Sequence, residues 1–191
     1  MYYESQIEGV VRIPPEVFGQ ELESSVLAQL KEEYEGKITE ILGRIIAVLN
    51  VNEIQEGTII PGDGGAYHRV KFTALHFIPE NNELIEGEIK EITKFGAFID
   101  FGAFEGMIHI SQTMDDYISL TKQNTLHGKE SKRTLKAADL VRARTVAISF
   151  KDITSPKIGL TMRQPYLGKL DWIKEEIKKS KKAEKATVKK K

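Results

Sequence analysis

The chain has 191 residues, 40% apolar and 29% charged, with 28 basic and 28 acidic side chains and zero formal net charge, which suits a globular protein of one large or two small domains. It has no cysteine and only four scattered histidines, so disulfides and thiolate metal sites are excluded, no metal is expected, and the usage fits a reducing, cytoplasmic compartment. No apolar run approaches the ~18 residues that a membrane helix needs, and the opening Met1-Tyr2-Tyr3-Glu4 lacks a signal-peptide layout.

The charge is uneven. Residues 1–80 hold 6 basic against 13 acidic side chains, residues 81–173 hold 13 against 12, and residues 174–191 hold 9 against 3. An acidic first part would repel phosphates and suits a protein partner better. The lysine-rich end reads as a flexible tail.

Taken in chain order, Val10-Val11-Arg12-Ile13 predicts a short strand, ended by Pro14-Pro15. A helix is expected from about Pro15 to Tyr34, because Phe18, Leu22, Val26, Leu30 and Tyr34 recur every four residues and make one core-facing stripe. Gly36 is its stop. Ile41 to Val51 and Val70 to Ile78 predict strands. Between them Pro61-Gly62-Asp63-Gly64-Gly65-Ala66-Tyr67-His68 is a turn. It lacks the Gly-Lys-Ser/Thr of a phosphate loop and the further ligands of a calcium loop. Residues 1–80 thus predict a small α+β domain, and Pro79-Glu80-Asn81-Asn82 a hinge.

The texture then changes to short alternating strands near 84–93, 96–101, 105–110, 140–149 and 157–162, broken at Gly87, Gly96, Gly102 and Gly106. Five such strands predict an all-β OB-fold barrel over residues 81–173. The insert from Gln112 to Asp139 reads as long and polar, with a flexible basic loop over 128–133.

An exposed aromatic ring can stack on an unpaired base. Phe95 and Phe98 flank Gly96-Ala97, read as a turn, and His109 interrupts the apolar run Met107-Ile108-His109-Ile110, which points its ring away from the core. Lys94, Arg142 and Arg144 can neutralise phosphates nearby, the two arginines alternating with Val141 and Ala143. Together these predict a face for single-stranded nucleic acid, most simply RNA. No catalytic residue is expected. Asp115-Asp116 lacks the third carboxylate of an acidic metal motif and reads as a cap or solvated turn. Ser111 and His109 share a short strand without an orienting acid.

Residues 84–163 resemble the S-one RNA-binding domain. The resemblance is carried by Phe-Gly-Ala-Phe at 95–98, Glu-Gly-Met-Ile-His-Ile-Ser at 105–111 and Lys-Ile-Gly-Leu-Thr-Met at 157–162. It implies an RNA face built from Phe95, Phe98, His109 and two positions that align with Ser149 and Lys157. Ser149 stands where that family often has an acidic residue, and Lys157 where it often has an arginine, so loose, backbone-led binding is expected. Three blocks widen the resemblance to nearly the whole chain: residues 12–19 (RIPPEVFG), 61–68 (PGDGGAYH) and 160–173 (LTMRQPYLGKLDWI). These resemble the archaeal E-prime family of RNA polymerase subunits, counterpart of the seventh subunit of eukaryotic RNA polymerase II. The resemblance implies a ribonucleoprotein-like first domain docked on the polymerase core by the Gly62, Asp63, Gly64 and Gly65 tip. It also implies a heterodimer with the F subunit of the polymerase, a non-catalytic stalk role, no cofactor, and contact with nascent single-stranded RNA during initiation and elongation. A translation or ribosome-associated RNA-binding factor is the alternative; it accounts for the barrel but not for the 12–19 and 61–68 blocks.

Overall fold

The computed structural model describes residues 1–121, 124–152 and 156–178. It forms two compact units, Met1–Pro79 and Glu80–Lys191.

In the first unit, β1 (Tyr2–Ile13), β5 (Ala66–Phe77), β3 (Gly43–Ile54) and β2 (Ile38–Thr39) form one sheet in that order. The two-residue β4 (Thr58–Ile59) pairs with the start of β5. All 12 residues of β1 pair antiparallel with β5, Tyr2 against Phe77 through Ile13 against Ala66. The strand therefore starts eight residues before the predicted Val10. Its inward side carries Ser5, Ile7 and Gly9, a weak apolar signal, but each has a partner in the core. Ser5 Oγ lies 2.8 Å from Nε2 of the buried His76, and a Cβ on Gly9 would sit 2.6 Å from the Tyr34 hydroxyl.

The predicted long helix is two pieces. Pro15–Val17 is a single 3-10 turn, Gly19 takes φ +94°, and α1 spans Leu22–Tyr34. A left-handed residue cannot continue a right-handed helix, so the glycine divides them. The stripe divides with it. Val26 and Leu30 are fully buried, and Tyr34 packs edge-on against Phe72 with ring centroids 5.0 Å apart, whereas Phe18 and Leu22 are exposed. Val26 and Leu30 join Val11, Ile13, Ile45, Val70 and Phe72 in the core between helix and sheet. Leu30→Ala is expected to lower stability by about 2–5 kcal/mol, read as a loss of denaturant midpoint at unchanged slope.

In the second unit, β6 (Leu84–Thr93), β7 (Gly96–Asp100), β8 (Glu105–His109), β12 (Leu140–Ser149) and β13 (Lys157–Thr161) form the barrel. The pairing order is β13-β8-β7-β6-β12, and a β12–β13 ladder closes it. Among the described barrel pairings only β13 against β8 is parallel. Alternation seals the interior with Ile89, Ile99, Ile108, Val141, Ala143 and Ile158. The β6–β7 turn is Lys94-Phe95, two residues earlier than the predicted Gly96-Ala97, which opens β7. Gly96 has φ +155°, and a Cβ there would lie 1.9 Å from the Ile108 carbonyl oxygen, so this close approach admits only glycine.

The polar insert is a structure of its own. Its strands β9 (Ile118–Leu120), β10 (Leu126–Gly128) and β11 (Thr134–Leu135) make a small sheet, with Met114, Leu126 and Leu135 buried. The basic segment read as a flexible loop is a pinned turn. Asp116 accepts from the Glu130 and Ser131 amides and from the Ser131 hydroxyl at 2.6 Å. These bonds lower its carboxyl to about 2. Asp116 is thus a turn cap, spent on holding the segment.

After β13, a two-residue strand β14 (Gly168–Lys169) adds to β12, and residues 170–178 are helical. Trp172 and Ile173 are buried, Arg133 lies 5.3 Å over the Trp172 ring, and Arg133 pairs with Glu176 at 2.7 Å. Residues 174–178, read as the start of the tail, belong to this helix; the rest of the tail lies outside the described residues.

Candidate nucleic-acid interface

Alternation sets which barrel side chains face out. On β7 and β8 the outward partners are Phe98 and Met107. Met107 neighbours Gly159 on β13, and Gly159 neighbours Ala147 on β12. This row crosses four strands and forms the floor of an open groove of about 780 Å³, lined also by His109, Val146 and Lys157. The lining is mostly apolar. Its acidic edge residue, Glu105, is ion-paired with Lys90, which raises the Lys90 ammonium pKa and removes a charge that would repel phosphate.

His109 ends β8, exposed, as its place in the apolar run implied. The Ser111 amide donates to its Nδ1 at 3.3 Å, and the Ser111 hydroxyl lies 2.8 Å from the same nitrogen. A backbone donor requires a bare Nδ1, so the neutral ring carries its proton on Nε2. Ser111 thereby orients the ring, and no carboxylate bonds either residue among the described hydrogen bonds. Lys157 and Ser149 are direct cross-strand partners at one end of the groove.

The remaining predicted contacts lie elsewhere. Phe95 is 60% exposed at the β6–β7 turn, and the Lys94 ammonium covers its ring at 5.0 Å. Neither lines the groove. Arg142 and Arg144 do face outward, but on the half of β12 that pairs with β6. Arg142 is held by Glu86 at 2.7 Å, and Arg144 Nε is occluded without a hydrogen-bond partner. The structure thus gathers Phe98, His109 and Lys157 and leaves Lys94, Phe95, Arg142 and Arg144 outside. Met107, Val146 and Gly159 escaped the sequence reading. Met107 was the findable one, since it shares the parity of His109 on the same strand.

The second predicted surface is the β4–β5 tip. Asp63 organises it, accepting from Arg12 at 2.6 and 3.0 Å, from the Tyr67 hydroxyl at 2.5 Å and from the Gly65 amide at 3.0 Å. The Arg12 side chain, then Tyr67 and Gly65, hold its carboxyl well below the usual carboxylate range. Gly62 has φ +93° with open space around it, and the adjoining Ile59 and Ile60 are 66% and 48% exposed.

Known proteins match both units. Residues 8–64 match the SHS2 domain found in the N terminus of Rpb7p/Rpc25p/MJ0397. Residues 78–149 match the S1 RNA binding domain. Over 176 residues the chain is 39% identical to DNA-directed RNA polymerase subunit Rpo7 of Sulfolobus acidocaldarius, covering 92% of this chain and 96% of that one. The chain belongs to the Rpo7 family of DNA-directed RNA polymerase subunits.

The Rpo7 match extends with the same 39% identity to Saccharolobus solfataricus, over 91% of this chain and 97% of that one. It thins toward the eukaryotic RNA polymerase II subunit RPB7 of Saccharomyces cerevisiae, 30% identical over 53% of this chain and 61% of that one. The expected α+β first unit and S-one barrel are both established. Within this Rpo7-family chain the S1 match spans β6, β7, β8 and β12, which carry Phe98, Met107, His109 and Ala147.

Proposed function

We infer that this polymerase subunit is a non-catalytic stalk component that holds nascent single-stranded RNA in the barrel groove and docks on the polymerase core through the Gly62–Gly65 tip. The observation that carries the RNA reading is the groove: a stacking ring, an oriented imidazole and one lysine converge on an apolar floor. Such a site grips base faces and asks little of sequence. The tip reading rests on exposed Ile59 and Ile60 beside a loop braced by Asp63 in an acidic unit. A heterodimer with the F subunit and a cytoplasmic location complete the proposal. Nucleotidyl transfer belongs to the whole polymerase, and the chain's own contribution is to hold and guide RNA during initiation and elongation.

Affinity-tagged full-length chain expressed in its native cell is expected to co-purify core polymerase and a small F-type subunit. Recovery of ribosomes in their place would overturn the assignment in favour of a translation factor.

A further inference from the structure

The row across the groove is uneven. Phe98 and Met107 are tall, while their neighbours Gly159 and Ala147 are the two smallest side chains available. Half the floor is therefore nearly bare backbone. Packing does not demand this at position 159. A Cβ there would meet the Ala147 Cβ at 3.6 Å and its carbonyl oxygen at 3.7 Å, ordinary contacts, and the residue has no left-handed φ. Gly106 differs: a Cβ there would run into Leu160 at 2.4 Å. Packing therefore crowds position 106 and leaves 159 open, so the gap at 159 has another use.

The gap makes a flat shelf beside Met107, in a groove that Lys157 and Val146 also line. A flat π-face can lie on backbone and alanine methyl, gaining dispersion over its whole area. The Met107 thioether offers a polarisable edge of the kind that favours aromatic rings. A base within a duplex already has both faces stacked and cannot offer one. We propose that the Gly159–Ala147 shelf is a base-stacking subsite taking one unstacked nucleobase against Met107, and that the lack of a bulky side chain at 159 makes the groove select single strands over duplex. This rests on the groove being the RNA site.

The test uses the full-length chain, a short fluorescein-labelled oligouridylate and a short RNA duplex. Gly159→Leu fills the shelf and is expected to weaken single-strand binding about tenfold, the loss of roughly one stacked base. Gly159→Ala should bind close to wild type. The duplex should bind more weakly than the single strand to the wild type. Phe98→Ala separates the two readings. If it weakens binding while Gly159→Leu does not, the shelf is wrong and the groove stands. If Phe98→Ala is also silent, the groove itself is wrong. Equal binding of duplex and single strand overturns the selectivity. Should Gly159→Leu fail to fold, crosslinking the unaltered chain to 4-thiouridine RNA decides. Attachment at Met107 or within residues 157–160 supports the shelf, and attachment confined to Phe95 or the insert overturns it.

Discussion

Phe98→Ala combined with His109→Ala is expected to weaken single-stranded RNA binding between about tenfold and a hundredfold, since a stacked base contributes about 1–3 kcal/mol. Both side chains line one groove, and they act on a base differently. Phe98 offers a face, and His109, fixed by Ser111 at Nδ1, presents Nε2–H as a donor. Phe95→Ala should cost much less, because the Phe95 ring sits outside the groove with Lys94 already over it. Arg142→Ala should cost least, since Glu86 already neutralises that guanidinium. Fluorescence anisotropy at fixed salt ranks the variants. A Phe95→Ala effect as large as that of the double variant would move the RNA face to the β6–β7 turn. Lys157 is the single permanent cation lining the groove among the described residues. The logarithm of affinity should therefore fall with the logarithm of salt at a slope near about −0.7, one phosphate's worth for a single strand. A much steeper slope would mean that the binding path runs over Arg142 and Arg144.

How far the sequence reveals this molecule depends on which forces act locally. The five barrel strands were legible because each buries one face, so a period of two is written directly into residues such as Ile85, Ile89, Ile99 and Ile108. Membership of the RNA face was only half legible for a related reason. Phe95 and Phe98 differ in parity, yet parity has meaning only once the turn is placed, and the turn lies two residues earlier than Gly96-Ala97, with Phe95 inside it. Arg142 and Arg144 were read correctly as outward, but the pairing of their half of β12 with β6 was not in the local pattern. Tertiary partners hid the rest. The first eight residues of β1 are held by long-range pairing with β5, and the insert is ordered by the Asp116 carboxylate, whose donors no periodicity reports. At Gly19 the apolar four-residue repeat pointed to helix and the backbone conformation to a break. The backbone prevailed because a positive φ ends a helix whatever the side chains prefer.

Asp63→Ala is expected to release the protein from core polymerase while leaving its fold intact. Asp63 does not bury apolar surface. It binds two strand residues, Arg12 and Tyr67, to the loop amide of Gly65. Removing it unties the loop from β1 and β5 and frees the Arg12 guanidinium, so Ile59, Ile60 and Gly62 lose a common geometry. Arg12, Asp63, Gly65 and Tyr67 are not members of the apolar core of the first unit, which is built on Leu30, Val26 and Phe72, and the thermal transition should move little. Arg12→Ala should reproduce the effect in part, because Tyr67 and Gly65 still hold the carboxylate. The acid dependence follows from the low Asp63 pKa. A carboxyl depressed in the folded state contributes above its unfolded value, about 3.9, and loses that contribution only as pH falls through the lower folded value. Retention on the core should therefore be insensitive to Asp63 titration between about pH 5 and 8. Asp63→Asn keeps the shape but halves the acceptors and should fall between wild type and alanine. Pull-down of core polymerase by each full-length variant, alongside its melting curve, reads the outcome. Full retention of Asp63→Ala would show that the core is held elsewhere, whereas loss of retention together with a collapsed transition would show that Asp63 supports the fold rather than the tip.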